Sequence, residues 1–168
     1  TTYVSSTSPE TDARFKATMA EFMEEVIVLM GLEHPGIVPI ISGFEANGTA
    51  YYVMPHINGT PLHECAPPAD RITESWLLPI LRKLLGALGY VHTQNLLHRD
   101  IKPDNILINK SGLPVLIDFG AARYSAGEKT KSLTVVLKHG FAPMEQYHAR
   151  GTLGPWTDEY ALCGTIWY

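Results

Sequence analysis

An α+β fold is what the hydrophobic spacing of this chain predicts. Two long segments carry apolar residues at steps of three and four, and short β-rich runs gather around the turn dipeptides Asn47-Gly48 and Ser111-Gly112. A length of 168 residues suits about one domain with one ordinary core. Composition agrees: 45% hydrophobic and 18% charged residues are those of a globular protein, not of a disordered, collagen-like or coiled-coil chain.

Ser8-Pro9, followed by Glu10 and Asp12, reads as a helix start, with a side-chain cap, a ring preset to helical φ and acids at the positive end of the dipole. The helix is expected to run to about Gly31, with Phe15, Met19, Phe22, Val26 and Leu29 as its apolar stripe. Glu25 lies beside that stripe, where a carboxylate calls for a partner. After the His34-Pro35-Gly36 break, residues 37–44 and 49–54 form an expected antiparallel pair, with Asn47-Gly48 supplying the positive φ angles of the turn.

Residues 55–60 read as a connector, and Pro67-Pro68 marks a loop. A second helix from Thr73 to about Gln94 carries Leu77, Leu81, Leu84, Leu85, Leu88 and Val91 at helical spacing and is expected in the core. Short extended pieces follow at 106–108 and 114–117, and then a stretch from 120 to about 140 poor in regular signal. No internal repeat is evident.

Charge and cysteine usage exclude several function classes. Thirteen basic against seventeen acidic side chains, a net −4, argue against a dedicated nucleic-acid binder. Cys65 and Cys163 are far apart and the seven histidines show no ligand spacing, so neither a disulfide framework nor a His/Cys metal site is encoded, and a cytoplasmic setting is expected. The longest apolar runs, such as residues 76–81, are far short of a membrane span, so no membrane contact is expected within this chain. The chain opens at Thr1 without a signal-peptide pattern and reads as trimmed.

The decisive stretch is His98-Arg99-Asp100-Ile101-Lys102-Pro103-Asp104-Asn105, with Asp118-Phe119-Gly120 beginning thirteen residues beyond Asn105. Acids, an amide and a lysine at these spacings suit phosphoryl transfer, which needs a carboxylate to orient a hydroxyl, a cation for the phosphate and oxygen ligands for Mg²⁺. Read without the constellation, Asp100 and Asp118 are turn or capping aspartates. With it, the sequence closely resembles the protein kinase family, matching both its catalytic-loop signature and its metal-binding triplet.

That resemblance implies roles residue by residue. Asp100 is the base that takes or orients the substrate hydroxyl proton, Lys102 is the γ-phosphate lysine of the serine/threonine type, and Asn105 and Asp118 hold Mg²⁺. His98 is implied to be structural. Glu25 falls where kinases keep the helix glutamate that pairs with the ATP-anchoring lysine; its other reading is a solvated edge carboxylate. Met54 matches the gatekeeper, Pro55 and Ile57 offer main-chain groups to adenine, and Leu107 matches the residue under the adenine ring. Met54 and Leu107 are core-packing residues on either reading. Proline at 55 is harmless because only its carbonyl is used.

Further on, Ala142-Pro143-Met144-Glu145 resembles the end of the activation segment, in the Ala-Pro-x-Glu-Gln-Tyr form of some bacterial kinases, and Asp158 resembles the acid that bonds the catalytic-loop backbone. Residues 120–140 are then the activation loop. Ser132 and Thr134 are candidate phosphosites facing Arg99, with an unmodified loop as the alternative. One departure stands out: the family's usual threonine three residues before the aromatic Phe141 is Lys138, whose ammonium could reach Asp100.

The implied architecture is a truncated kinase-like α+β fold. It has a partial N-lobe at 1–54 (one helix and two antiparallel strands), a hinge at 55–60 and a partial, mainly helical C-lobe at 61–168. No glycine precedes Gly31, and Lys16, the only lysine before Glu25, lies in the same helix, so the glycine-rich loop and the ATP-anchoring lysine are expected to be missing. The implied function is ATP- and Mg²⁺-dependent phosphorylation of Ser/Thr hydroxyls on a protein substrate, with the isolated chain near background. The alternative is a non-catalytic kinase-like binding or scaffolding module. The uncovered apolar area of such a piece predicts poor solubility or association.

Overall fold

The computed structural model describes residues 9–119, 123–124, 140–147 and 151–167. The first helix, α1, spans Pro9–Met30. Its apolar stripe is only half used: Val26 and Leu29 are buried, whereas Phe15 is 40% exposed. The reason is reach, because the two strands that cover α1 meet only its C-terminal half, where Phe22 packs on Tyr52 and Gly43 lies against Met23 and Val26.

Those strands are β1 (Ser42–Ala46) and β2 (Thr49–Val53), antiparallel in the register Ser42↔Val53 to Ala46↔Thr49. Asn47 and Gly48 both have positive φ, 52° and 70°, as a two-residue hairpin turn of this hand requires. The first strand is shorter than the β-rich run suggested. Ile41 N–H still donates to Val53 O of β2 at 2.7 Å, but residues 36–38 bond the other half of the molecule, where Val38 N–H donates to Leu116 O at 2.9 Å and Leu116 N–H to Gly36 O at 2.9 Å.

A three-stranded antiparallel sheet follows, formed by β3 (Gly59–Pro61), β5 (Ile106–Asn109) and β6 (Pro114–Leu116), with β5 in the middle. Sequence reading makes β3 a connector, since three residues give no alternation to detect. Gly59 lets the strands close up: a Cβ there would stand 2.8 Å from Ile108 O. A short α2 (Leu62–Cys65) leads to α3 (Glu74–Thr93), which starts where expected, with Thr73 Oγ1 accepting from Trp76 N–H at 3.3 Å.

The core is built on α3, whose Ile80, Leu84, Ala87, Leu88 and Val91 are buried, together with Ile106 and Leu116 of the sheet. Leu85, at helical spacing in the sequence, instead faces solvent at 47% exposure. The two-residue strands β4 (Leu96–Leu97) and β7 (Arg123–Tyr124) pair antiparallel. Helices α4 (Met144–Tyr147) and α5 (Pro155–Trp167) end the described chain, and α5 buries Thr157, Asp158, Ala161, Leu162 and Thr165. Among the described residues no helix is long and apolar enough to cross a membrane. Ser132, Thr134 and Lys138 lie outside the described residues.

Candidate active site

The site is assembled on the loop that leaves β4. Buried Leu96 and Leu97 anchor its start, and His98 behind them is fully buried. The histidine acts as a post: its Nδ1 accepts from Asp100 N–H at 3.3 Å, its Nε2 lies 3.2 Å from Ile117 O, and its ring sits 4.4 Å from that of Phe119. Since Nδ1 accepts, the proton is on Nε2 and donates to the Ile117 carbonyl. Burial pushes the imidazole pKa down, against the opposing charges of Asp158, Asp100 and Asp118, so His98 is held neutral. One ring thus ties the Asp100 loop to the segment that carries Asp118.

Asp158, buried on α5, fixes the same loop from below. Its Oδ2 accepts His98 N–H at 2.9 Å and its Oδ1 accepts Arg99 N–H at 2.8 Å, while His92 Nε2 lies 2.8 Å from Oδ2. Gln146 of α4 donates from Nε2 to Arg99 O at 3.0 Å. Both sides of Arg99 are therefore clamped, and Arg99 has φ of 65°, a left-handed conformation unusual for a long side chain. Asp118 shares that conformation at 62°. Among the described residues the other two non-glycine positions with positive φ, Asn47 and Asn95, are like Asp118 of a type that tolerates it.

Three of the residues expected from the sequence meet at Asp100. Lys102 Nζ pairs with Asp100 Oδ2, and Asn105 Nδ2 donates to Asp100 O at 2.8 Å and to Oδ2 at 2.7 Å. Two donors on Oδ2 leave Oδ1 as the carboxylate oxygen able to meet an incoming hydroxyl. The same bonds settle the amide of Asn105: its nitrogen is committed to Asp100, so its oxygen turns the other way. Ile117 N–H donates to Asn105 O at 3.0 Å, which sets Asn105 beside the strand end that delivers Asp118.

An amide oxygen and a carboxylate from Asp118 are hard donors that fit Mg²⁺, which keeps several waters and takes one or two protein oxygens plus phosphate. They do not fit a soft or imidazole-bound metal. No group of three or more His, Cys, Asp or Glu able to hold a metal occurs among the described residues.

The expected nucleotide-side residues lie on other elements of the fold. Leu107 is on β5, paired with Pro61 and Val115. Met54 and Pro55 follow β2, Met54 being 39% exposed, and Ile57 packs against the core. Glu25 is half-buried on α1 beside Val26. Tyr52 of β2 senses the site: burial raises its hydroxyl pKa and the Asp118 charge raises it further. Tyr52, Gln146 and His92 were not singled out from the sequence. Gln146 alone had a signal, its place next to Glu145, which itself accepts from Thr157 Oγ1 at 3.3 Å.

A family model described as protein kinase domain matches residues 6–168. Serine/threonine-protein kinase D of Synechocystis sp. is 38% identical over 156 residues, covering 88% of this chain and 30% of that protein. Sperm motility kinase Z of Mus musculus is 33% identical over 147 residues, covering 87% of this chain and 29% of that protein. Among solved structures, the PpkA-294 apo form superposes with a TM-score of 0.72 at 39% identity, covering 96% of this chain and 57% of that one. The chain therefore spans about 30% of the length of these curated relatives.

Proposed function

The chain belongs to the protein kinase family, and from that premise we propose that it forms part of a serine/threonine kinase whose kinase domain works in the cytoplasm, whether or not the parent protein carries a membrane anchor, and transfers the γ-phosphoryl group of ATP to a Ser or Thr hydroxyl of a protein substrate. The observation that carries this reading is the cluster in which Lys102 and Asn105 both hold Asp100 Oδ2. A hydroxyl oxygen at Asp100 Oδ1 is oriented for attack. Its bond to the γ-phosphorus forms as the bond to the bridging oxygen breaks, ADP leaves, and the hydroxyl proton passes to Asp100. Lys102, on the opposite oxygen, offers positive charge to the moving phosphoryl group. Asn105 Oδ1 and Asp118 would hold Mg²⁺, which when bound neutralises phosphate charge.

The adenine side is assigned to the main chain of Pro55 and Ile57, with Met54 and Leu107 as apolar walls, and Glu25 to the lysine that anchors ATP. The test is phosphate transfer from labelled ATP to a protein acceptor by the gene product that carries these residues. Transfer to serine or threonine is expected, and Asp100→Asn should lower it roughly 10²–10⁴-fold. Transfer unchanged in Asp100→Asn, or unchanged in Asp118→Asn, would sink the assignment.

A second reading, a kinase-like module that binds without catalysis, is favoured for these 168 residues alone by one observation: they contain no glycine before Gly31 and no lysine before Glu25 other than Lys16 on α1 itself. Positioning and charge neutralisation supply nearly all the rate in this chemistry, so the isolated polypeptide is expected to turn over near background. Robust transfer by the purified 168 residues, abolished by Asp100→Asn, would remove this reading.

A further inference from the structure

We propose that a cationic cleft on the outer side of α3 is a docking site for an acidic, extended segment of a partner protein. The cleft, about 260 Å³, opens between the His34-Pro35 turn, the Arg82, Lys83 and Gly86 face of α3, and Leu113 at the mouth of the β5–β6 hairpin. It stands apart from the Asp100 cluster, and its assignment is independent of the phosphotransfer reading.

Three observations select the ligand. First, no acid among the described residues lines the cleft, although the chain as a whole carries a net −4. Arg82 and Lys83 are both exposed, and neither forms an ion pair with a described carboxylate. Lys110, also exposed, sits in the turn that leads to Leu113.

Second, each polar side chain in the cleft is a donor. Gly36 N–H donates to His34 Nδ1 at 3.0 Å, which places the imidazole proton on Nε2, and stacking on Tyr90 at 5.4 Å fixes the ring. A wall of donors with no acceptor selects an acceptor-rich ligand, and carboxylates meet Arg and Lys best. Pro35 and Leu113 add apolar surface for an aliphatic residue between the acids.

Third, Gly86 keeps the floor bare. A Cβ built there meets nothing within 4 Å, so no contact in the described chain calls for glycine inside this helix, where alanine would be more stable. Gly89 of the same helix is equally open without lining the cleft, so what Gly86 contributes is room: an incoming backbone can lie close to α3 there. A protein segment fits better than a polynucleotide, because two adjacent cations on a net-acidic chain cannot neutralise a run of phosphates.

The experiment is fluorescence anisotropy with the 168-residue chain and a labelled peptide of about twelve residues in which Glu alternates with Leu and Pro. The comparators are the same peptide with Gln for Glu and a single-stranded oligonucleotide. The Glu peptide is expected to bind, to weaken with salt, and to outbind both comparators. Arg82→Glu with Lys83→Glu should weaken it roughly tenfold or more. Gly86→Leu, which keeps both charges, should weaken it as well while raising the melting temperature, which separates loss of the site from loss of the fold. Equal binding of the Glu and Gln peptides, tighter binding of the oligonucleotide, or unchanged binding by both variants would overturn the proposal.

Discussion

Asn105 holds Asp100 at two points through a single nitrogen, 2.8 Å from the aspartate's carbonyl oxygen and 2.7 Å from its Oδ2. The side chain that would offer its oxygen to a cation is thus the same one that fixes the base. With Asn105 only 5% exposed, water cannot readily replace the lost bonds. Asn105→Ala should therefore destabilise the isolated chain by about 1–3 kcal/mol in urea denaturation. Asn105→Asp should cost more at neutral pH than at about pH 4, because it sets a carboxylate against Asp100 Oδ2. Equal stability of Asn105→Asp at both pH values, after subtraction of the wild-type change, would show that the contact is not held in solution.

Asp158 supports the loop from α5 by accepting from His98 N–H, Arg99 N–H and His92. It is fully buried, so Asp158→Ala strands these donors away from solvent. A cost of about 3–5 kcal/mol follows, a large share of a typical domain's stability. The melting temperature should fall by roughly 2–4 °C per kcal/mol, and the Arg99 amide should lose protection in hydrogen exchange. A melting temperature within a degree or so of wild type would show that Asp158 is replaceable by water.

His98 makes stability depend on pH. Its pKa in the folded chain is pushed below the ordinary 6.5 by burial. The unfolded chain therefore binds the proton more readily, and stability is complete above about 6.5 and is lost as pH falls below it. Melting temperature should decline as pH falls from about 6.5 to about 5.5, above the range where carboxylates titrate. His98→Asn should be less stable overall but flatter across this window. An equal slope in the variant would assign the acid sensitivity to another group.

What the sequence made legible divides along physical lines. The two helices announced themselves because a 3.6-residue period over some twenty residues is a strong signal. The hairpin turn was readable in Asn47-Gly48, where two positive φ angles demand such residues. The meeting of Asp100, Lys102 and Asn105 was readable because all three lie within one short loop. Contacts made across long separations left no such trace. Gln146 reaches Arg99 from 47 residues away, and Tyr52 feels Asp118 across the two halves of the molecule. Nor could the sequence tell that residues 37 and 38 would pair outside the first sheet, because the competing partner, Leu116, lies on a strand almost eighty residues on.

The junction of α1 with β1 permits a test of packing by sign. A Cβ on Gly43 would stand 2.6 Å from Val26 Cγ1, and Val26 is 1% exposed with nowhere to retreat. In the middle of a strand, replacing glycine with alanine would otherwise gain about 0.5–1 kcal/mol. Here the steric term wins, and Gly43→Ala is expected to cost about 1–3 kcal/mol. Val26→Ala alone should also destabilise, by leaving a small void. In the double variant the new methyl occupies part of the space vacated at Val26, so the combined loss should be smaller than the sum by about 0.5 kcal/mol or more. Strict additivity in urea denaturation would mean that β1 simply slides away from α1, and that the Gly43–Val26 contact does not set the spacing of these two elements.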